Sequence, residues 1–167
     1  MLTCGGTGDI TAIPTVPYCT DATTNPLFVS QAAFNNDKTY VGFVEEAVEY
    51  AKTRAEGDEA IALAIDRLSV NLGKHILTLV PGVVSTEVDP RLSFNKDESL
   101  KRARRIIKMY EDEGIPARER VLIKLAGTWE GIKAAEELEK EGIHTNITLM
   151  FSFAQGVASA QAYVSLH

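Results

Sequence analysis

From Tyr40 onward the chain alternates between stretches with apolar residues at helical spacing and short, nearly continuous apolar runs. Tyr40, Val44, Ala47, Val48 and Ala51 recur every three or four residues, and Ile61, Ile65, Leu68, Leu72, Ile76 and Leu79 do so again, which predicts two amphipathic helices. Pro81 and Gly82 stop the second of them. Val83 to Val88 then reads as a strand. Asn95, with Glu98 three residues on, has the form of an N-cap opening a helix through Leu100, Ala103, Ile107 and Tyr110, and Gly114 closes it. The unit repeats as strand Val121 to Ala126, helix from about Thr128 to Glu141 ended by Gly142, strand Thr145 to Met150, helix Ser152 to Ala162 and strand Tyr163 to Leu166. Asp21 to Pro26 and Leu2 to Gly5 read as two earlier strands on less apolar patterns.

This alternation is the sequence mark of an α/β fold with parallel strands, here up to six in βα register and without a self-similar repeat. A (β/α)8 TIM barrel closes eight strands over about 250 residues. The 167 residues end inside the sixth predicted strand, so the expectation is one domain over 1–167, an incomplete barrel with about six of its eight strands. An open, doubly wound sheet would suit the length. Its nucleotide fingerprint is missing, however: GGTG at residues 5 to 8 is neither GxGxxG nor followed by GK[ST], and reads as a turn.

Composition narrows the function. The chain is 45% hydrophobic and 24% charged with a net charge of -6, which supplies no broad basic face for nucleic acid and points to small-molecule work. Its apolar stretches fall short of the about 18 residues of a membrane span, and the N-terminus MLTCGGTGD has no signal-peptide pattern, so no membrane partner and a cytoplasmic address are expected. Cys4 and Cys19 are too few for a disulfide framework and read as small, buried or half-buried side chains. Lys101, Arg102, Arg104 and Arg105 read as a solvated helix face, Asp66 and Arg67 as ordinary helix-face residues, and Trp129, after the cap Thr128, as a packing residue. His75 and His144 form no metal motif, so no metal is expected.

The chemistry is carried by polar residues on apolar strands. In VLIKLA, Leu122, Lys124 and Ala126 share one face and Val121, Ile123 and Leu125 the other. Desolvation on a parallel strand disfavours an ammonium and makes a neutral amine, a nucleophile toward ketones, more available. The bland alternative is a lysine with a buried stem and a wet head. Three further segments bear polar pairs at two-residue spacing: Ser85 and Glu87, Asn146 and Thr148, Thr23 and Asn25. Convergence of these pairs at the C-terminal ends of the strands would suit carbonyl chemistry on a polyhydroxylated substrate, with Glu87 serving general acid and base steps. A buried polar network that merely ties strands together is the competing reading.

The stretches DATTNP at 21 to 26, STEVDPRLSF at 85 to 94, VLIKLAGTWEGIKAAEELEKEGI at 121 to 143 and NITLMFSFAQ at 146 to 155 resemble, in order, the signature segments of the transaldolase family. The resemblance runs from about Gly8 to the last residues. It implies a class I aldolase-type barrel that transfers a dihydroxyacetone unit between sugar phosphates in the pentose phosphate pathway, without metal or organic cofactor. It further implies that Lys124 forms the imine, that Glu87 and a water held by Thr148 handle proton transfers, and that Asn25 and Asn146, with Thr23 and Ser85, bind the substrate's hydroxyls.

The sequence departs from the family at three places. Gly6 stands where the family has the aspartate that takes the proton from the hydroxyl at the cleaved bond. The family's later Ser-Pro-Phe-Val-Gly-Arg segment, with its phosphate-binding arginine, has no counterpart before His167. Leu27 replaces a small residue, and the helix preceding the family's first strand is missing. Two alternatives therefore stand beside transaldolase: a fructose 6-phosphate aldolase-like enzyme, and a non-catalytic truncated fragment or interaction protein. Under any of these readings, self-association of the chain through unpaired sheet edges is expected.

Overall fold

A computed structural model describes residues 3–4, 13, 19–34 and 38–164. Gly6 and residues 165–167 lie outside these described residues. The chain forms two compact units, Met1–Thr86 and Glu87–His167.

In the first unit, β1 (Thr3–Cys4) and β2 (Asp21–Thr23) run parallel with Thr3 opposite Asp21, and β2 pairs in parallel with β3 (Val84–Glu87), which belongs to this unit as far as Thr86, with Thr23 opposite Ser85. Asp21 locks the start of this pairing: its carboxylate accepts from Val83 N at 2.8 Å and from Thr20 Oγ1 at 2.9 Å. A helix unforeseen in the sequence, α1 (Pro26–Phe34), follows at once, because Pro26 suits a first helical position and Asn25 O accepts from Val29 N at 3.1 Å. Asn25 is thus a helix-entry residue rather than the end of a strand. α2 (Lys38–Lys52) and α3 (Gly57–Leu77) pack through Tyr40, Ala47, Ala51, Leu68, Leu72 and Ile76.

Periodicity in α3 overstates its buried stripe. Ile61 and Ile65, expected inside, are 60% and 39% exposed along an open apolar groove shared with Val44 and Val48 of α2. Arg67, read as an ordinary helix-face residue, is buried. Its guanidinium grips Glu46 with bonds of 2.7 and 3.0 Å and lies over the Tyr50 ring, while Asp66 on the same turn is also buried. Cys19 is half-buried as expected but disulfide-bonded.

The second unit contains α4 (Lys96–Asp112), α5 (Ala117–Arg120), β4 (Val121–Ala126), α6 (Trp129–Lys140), β5 (Thr145–Thr148) and α7 (Phe153–Val164). Asn95 caps α4 through Glu98 N at 3.1 Å and Thr128 caps α6 through Gly131 N at 3.0 Å, each contact worth about 1 kcal/mol. Gly114 and Gly142 end these helices at φ +76° and +73°, a region open to glycine. Tyr110, Ile106, Met109, Ile123, Leu138 and Val121 are fully buried and form the core. Of the basic run on α4, Arg102 departs from the solvated-face reading: it is buried, 3.9 Å from Asp89. Trp129 is 65% exposed rather than packed, with Lys133 Nζ 5.1 Å from its ring centre.

The fold class is α/β with parallel strands flanked by helices, consistent with an incomplete (β/α)8 barrel, and five strands fall among the described residues. The sixth strand predicted from Tyr163 is absent as far as Val164, because α7 continues through both residues. Tyr163 keeps helical spacing from the buried Ser159, and its hydroxyl reaches Thr145 O at 3.2 Å. A short apolar run fits helix or strand equally, and the surrounding contacts decide. No helix among the described residues is long and apolar enough to cross a membrane.

Candidate active site

β4 carries out the alternation its sequence dictates: Val121, Ile123 and Leu125 are buried, while Leu122, Lys124 and Ala126 face a half-buried surface. β5 runs parallel in a register that sets Lys124 beside Asn146 and Ala126 beside Thr148. Parallel register partners project to the same face, so amine, amide and hydroxyl line one side of this strand pair. Glu87 joins them. Its Oε2 lies 3.2 Å from Lys124 Nζ, with the two side chains only 10% and 12% exposed, and Val88 N donates to Lys124 O at 3.1 Å.

Burial is the leading influence on Glu87 and pushes its carboxyl above the ordinary 4.5, while the charge and hydrogen bond of Lys124 pull it back. The carboxyl is therefore set to hold a proton more readily than a surface glutamate. Just beyond, Asp89 is held below the usual carboxylate range, chiefly by the side chain of Arg91. Its carboxylate accepts from Arg91 N at 2.9 Å and so starts the single turn at Pro90–Leu92 that follows the Glu87 strand.

The comparisons with known proteins then bear on what this arrangement is. A family model described as "Transaldolase/Fructose-6-phosphate aldolase" matches residues 7–167. The chain belongs to this family. The transaldolase of Kluyveromyces lactis is 55% identical over 148 residues, covering 87% of this chain and 43% of its own length. The transaldolase of a Marinomonas species is 54% identical over 162 residues, covering 96% of this chain and 50% of its own, and that of Saccharomyces cerevisiae is 53% identical over 148 residues. The chain spans about half the length of the curated relatives it matches.

In this transaldolase-family chain the second unit thus brings Lys124, Glu87, Asn146 and Thr148 together. The first unit holds Thr23, Asn25 and Ser85: Thr23 and Ser85 are register partners, and Thr24 N and Oγ1 donate to Ser85 O at 2.9 and 3.0 Å. Glu87 and Thr148 of the second unit are each the last residue of their strand, the end at which barrel enzymes carry their sites, and Thr23 ends its own strand in the first unit. No cluster of three or more His, Cys, Asp or Glu residues suited to a metal occurs among the described residues.

The strand predicted to run on to Met150 stops at Thr148, because Leu149 takes φ +59° and its carbonyl accepts from Gln155 Nε2 at 3.2 Å. Sequence reading passed over Gln155. Its signal was present in Ser152-x-x-Gln155, the capping-box pattern, in which Gln155 N donates to Ser152 Oγ at 3.2 Å and Ser152 N donates back to Gln155 Oε1 at 3.0 Å.

Proposed function

We propose that this chain has the chemistry of a transaldolase, moving a dihydroxyacetone unit from a ketose phosphate to an aldose phosphate through an imine on Lys124, in the cytoplasmic pentose phosphate pathway. The observation that carries this reading is the nearly dry pair formed by Lys124 and Glu87 at 3.2 Å. A lysine amine adds to the ketose carbonyl once its proton has been passed on, and a carboxylate in contact with it is suited to take that proton. The resulting carbinolamine loses water on receiving a proton, and Glu87, its carboxyl raised by burial, is suited to return one. The bond between the carbons α and β to the imine then breaks: its electron pair passes into the imine cation, and the β-hydroxyl gives its proton, through water, to the Glu87 carboxylate. The aldose fragment leaves as an aldehyde, and the enamine that remains adds to an incoming aldehyde, whose oxygen takes that proton, before hydrolysis frees Lys124.

In this scheme Thr148 holds the water that relays protons to Glu87, and Asn146 holds the hydroxyls of the three-carbon unit. Thr23, Asn25 and Ser85 of the first unit are assigned, on the family resemblance, to binding substrate hydroxyls. The sheet alignment supports a shared role for the first two, since Asn146 is the register partner of Lys124 and Thr148 lies two residues further along the same face. Self-association of the chain belongs to the same reading and is measured by sedimentation.

Product analysis tests the proposal. Fructose 6-phosphate supplied with an acceptor aldose phosphate should yield a new ketose phosphate and no free dihydroxyacetone. Free dihydroxyacetone as the main product would instead indicate an aldolase, and the absence of both products would overturn the proposed activity for this chain.

A further inference from the structure

The Gln155 carboxamide does more than cap α7. Its oxygen accepts from Phe151 N at 2.9 Å, Ser152 N at 3.0 Å and Ser152 Oγ at 3.2 Å, and these contacts close the helix start. Its nitrogen points the other way and donates to Gly127 O at 2.7 Å and Leu149 O at 3.2 Å. Gly127 N donates in turn to Thr148 O at 2.7 Å. The Gly127 residue is thus pinned at both its backbone groups, and Thr148 is held through its own carbonyl and that of the next residue.

Two features show that the junction is built around this amide. Leu149 sits at φ +59°, where a γ-branched residue is disfavoured and persists only if its surroundings hold it. Gly127 leaves little room for a side chain: a Cβ there would lie 3.0 Å from Met150 Cγ, 3.2 Å from Thr148 O and 3.4 Å from Gln155 Nε2, so its neighbours would have to give by a few tenths of an ångström. A capping box needs only an acceptor at its third position, and glutamate supplies one as well as glutamine does. The two donor bonds across the loop are what require an amide.

We infer that Gln155 is a positioning residue for the active site, holding the Leu149–Ser152 turn against Gly127 so that Thr148 is fixed on the same face as Lys124. The functional part of this inference rests on the proposed imine chemistry; the clamp itself rests on geometry alone. Gln155→Glu separates the two roles of the side chain, because it keeps the acceptor that caps α7 and replaces the donor with a carboxylate oxygen facing two carbonyls. Lowering the pH protonates that carboxyl and returns one donor.

The test compares the 167-residue wild-type chain with Gln155→Glu, Thr148→Ala and the double variant. Three quantities are read: amide exchange at Gly127, thermal unfolding, and the rate of borohydride-trapped imine formation on Lys124 at saturating fructose 6-phosphate. Gln155→Glu should unfold near the wild-type temperature yet speed exchange at Gly127. It should slow imine formation about tenfold at neutral pH, within the range that small misplacements cost, with an unchanged half-saturating concentration. Part of that loss should return toward pH 5 when each rate is divided by the wild-type rate. In the double variant the rate should fall no further than in Thr148→Ala, since both changes act on one group. Unchanged Gly127 exchange in Gln155→Glu, or fully additive losses in the double variant, would overturn the inference. A wild-type chain that traps no imine would overturn the proposed function alone, and Gly127 exchange would still decide the clamp.

Discussion

The Nζ of Lys124 and the Oε2 of Glu87 lie 3.2 Å apart, on two side chains that are only 12% and 10% exposed. In the proposed scheme this pair couples a nucleophile to a proton carrier. Burial raises the Glu87 carboxyl while Lys124 lowers it by charge and by hydrogen bond. Glu87 should therefore titrate above its ordinary 4.5, and Lys124→Met, which removes both lowering influences, should move it further up. Carboxyl carbon NMR reads the midpoint directly, and a midpoint that falls in Lys124→Met would refute the assignment of causes.

The same shift fixes the sign of a stability effect. A carboxyl whose folded pKa is raised contributes stability that is fully present below its unfolded value, near 4.5, and lost as pH rises through the folded value. Glu87→Gln, which stays neutral, should abolish that decline. Chemical denaturation of wild type and variant across pH 4 to 8 measures it: the difference between their unfolding free energies should change over the pH range in which Glu87 titrates by NMR, and a constant difference contradicts the linkage.

Gly131 lies in the first turn of α6 against the end of β4, and a Cβ there would sit 2.1 Å from Ala126 O, a backbone atom that cannot swing aside. Gly131→Ala should destabilise the chain by about 1–3 kcal/mol, the cost of overpacking. Gly156→Ala is the contrast: nothing lies within 4 Å of its Cβ position in α7, so relief of glycine's helix penalty should add roughly 0.5–1 kcal/mol. Thermal unfolding of the two variants should move in opposite directions.

Glu46→Ala should cost about 1–3 kcal/mol, since it leaves the buried Arg67 guanidinium without its bidentate carboxylate. Denaturant unfolding checks this value, and a neutral result would mean that Arg67 is held by its remaining contacts.

Much of the fold was legible because the deciding contacts are local. The Asn95 and Thr128 caps, the Gly114 and Gly142 stops and the alternating faces of β4 each depend on neighbours within a few residues. The failures share the opposite property. Tyr163 belongs to a helix because Thr145, 18 residues away in sequence, holds its hydroxyl, and Arg102 and Arg67 are buried because of partners on other elements. At the site, the spacing of Lys124 and of the polar pairs gave the shared faces, and family resemblance suggested the roles. The placement of the Glu87 carboxylate on the Lys124 amine and the loop held by Gln155 come from tertiary register, which no periodicity encodes.

The central claim is that Lys124 is the imine-forming residue. Incubation with fructose 6-phosphate, borohydride reduction and peptide mass spectrometry test it most directly. A stable sugar-derived adduct should appear on the peptide containing Lys124 and vanish in Lys124→Ala. An adduct on another lysine, an undiminished adduct in Lys124→Ala, or no adduct at all would contradict the claim.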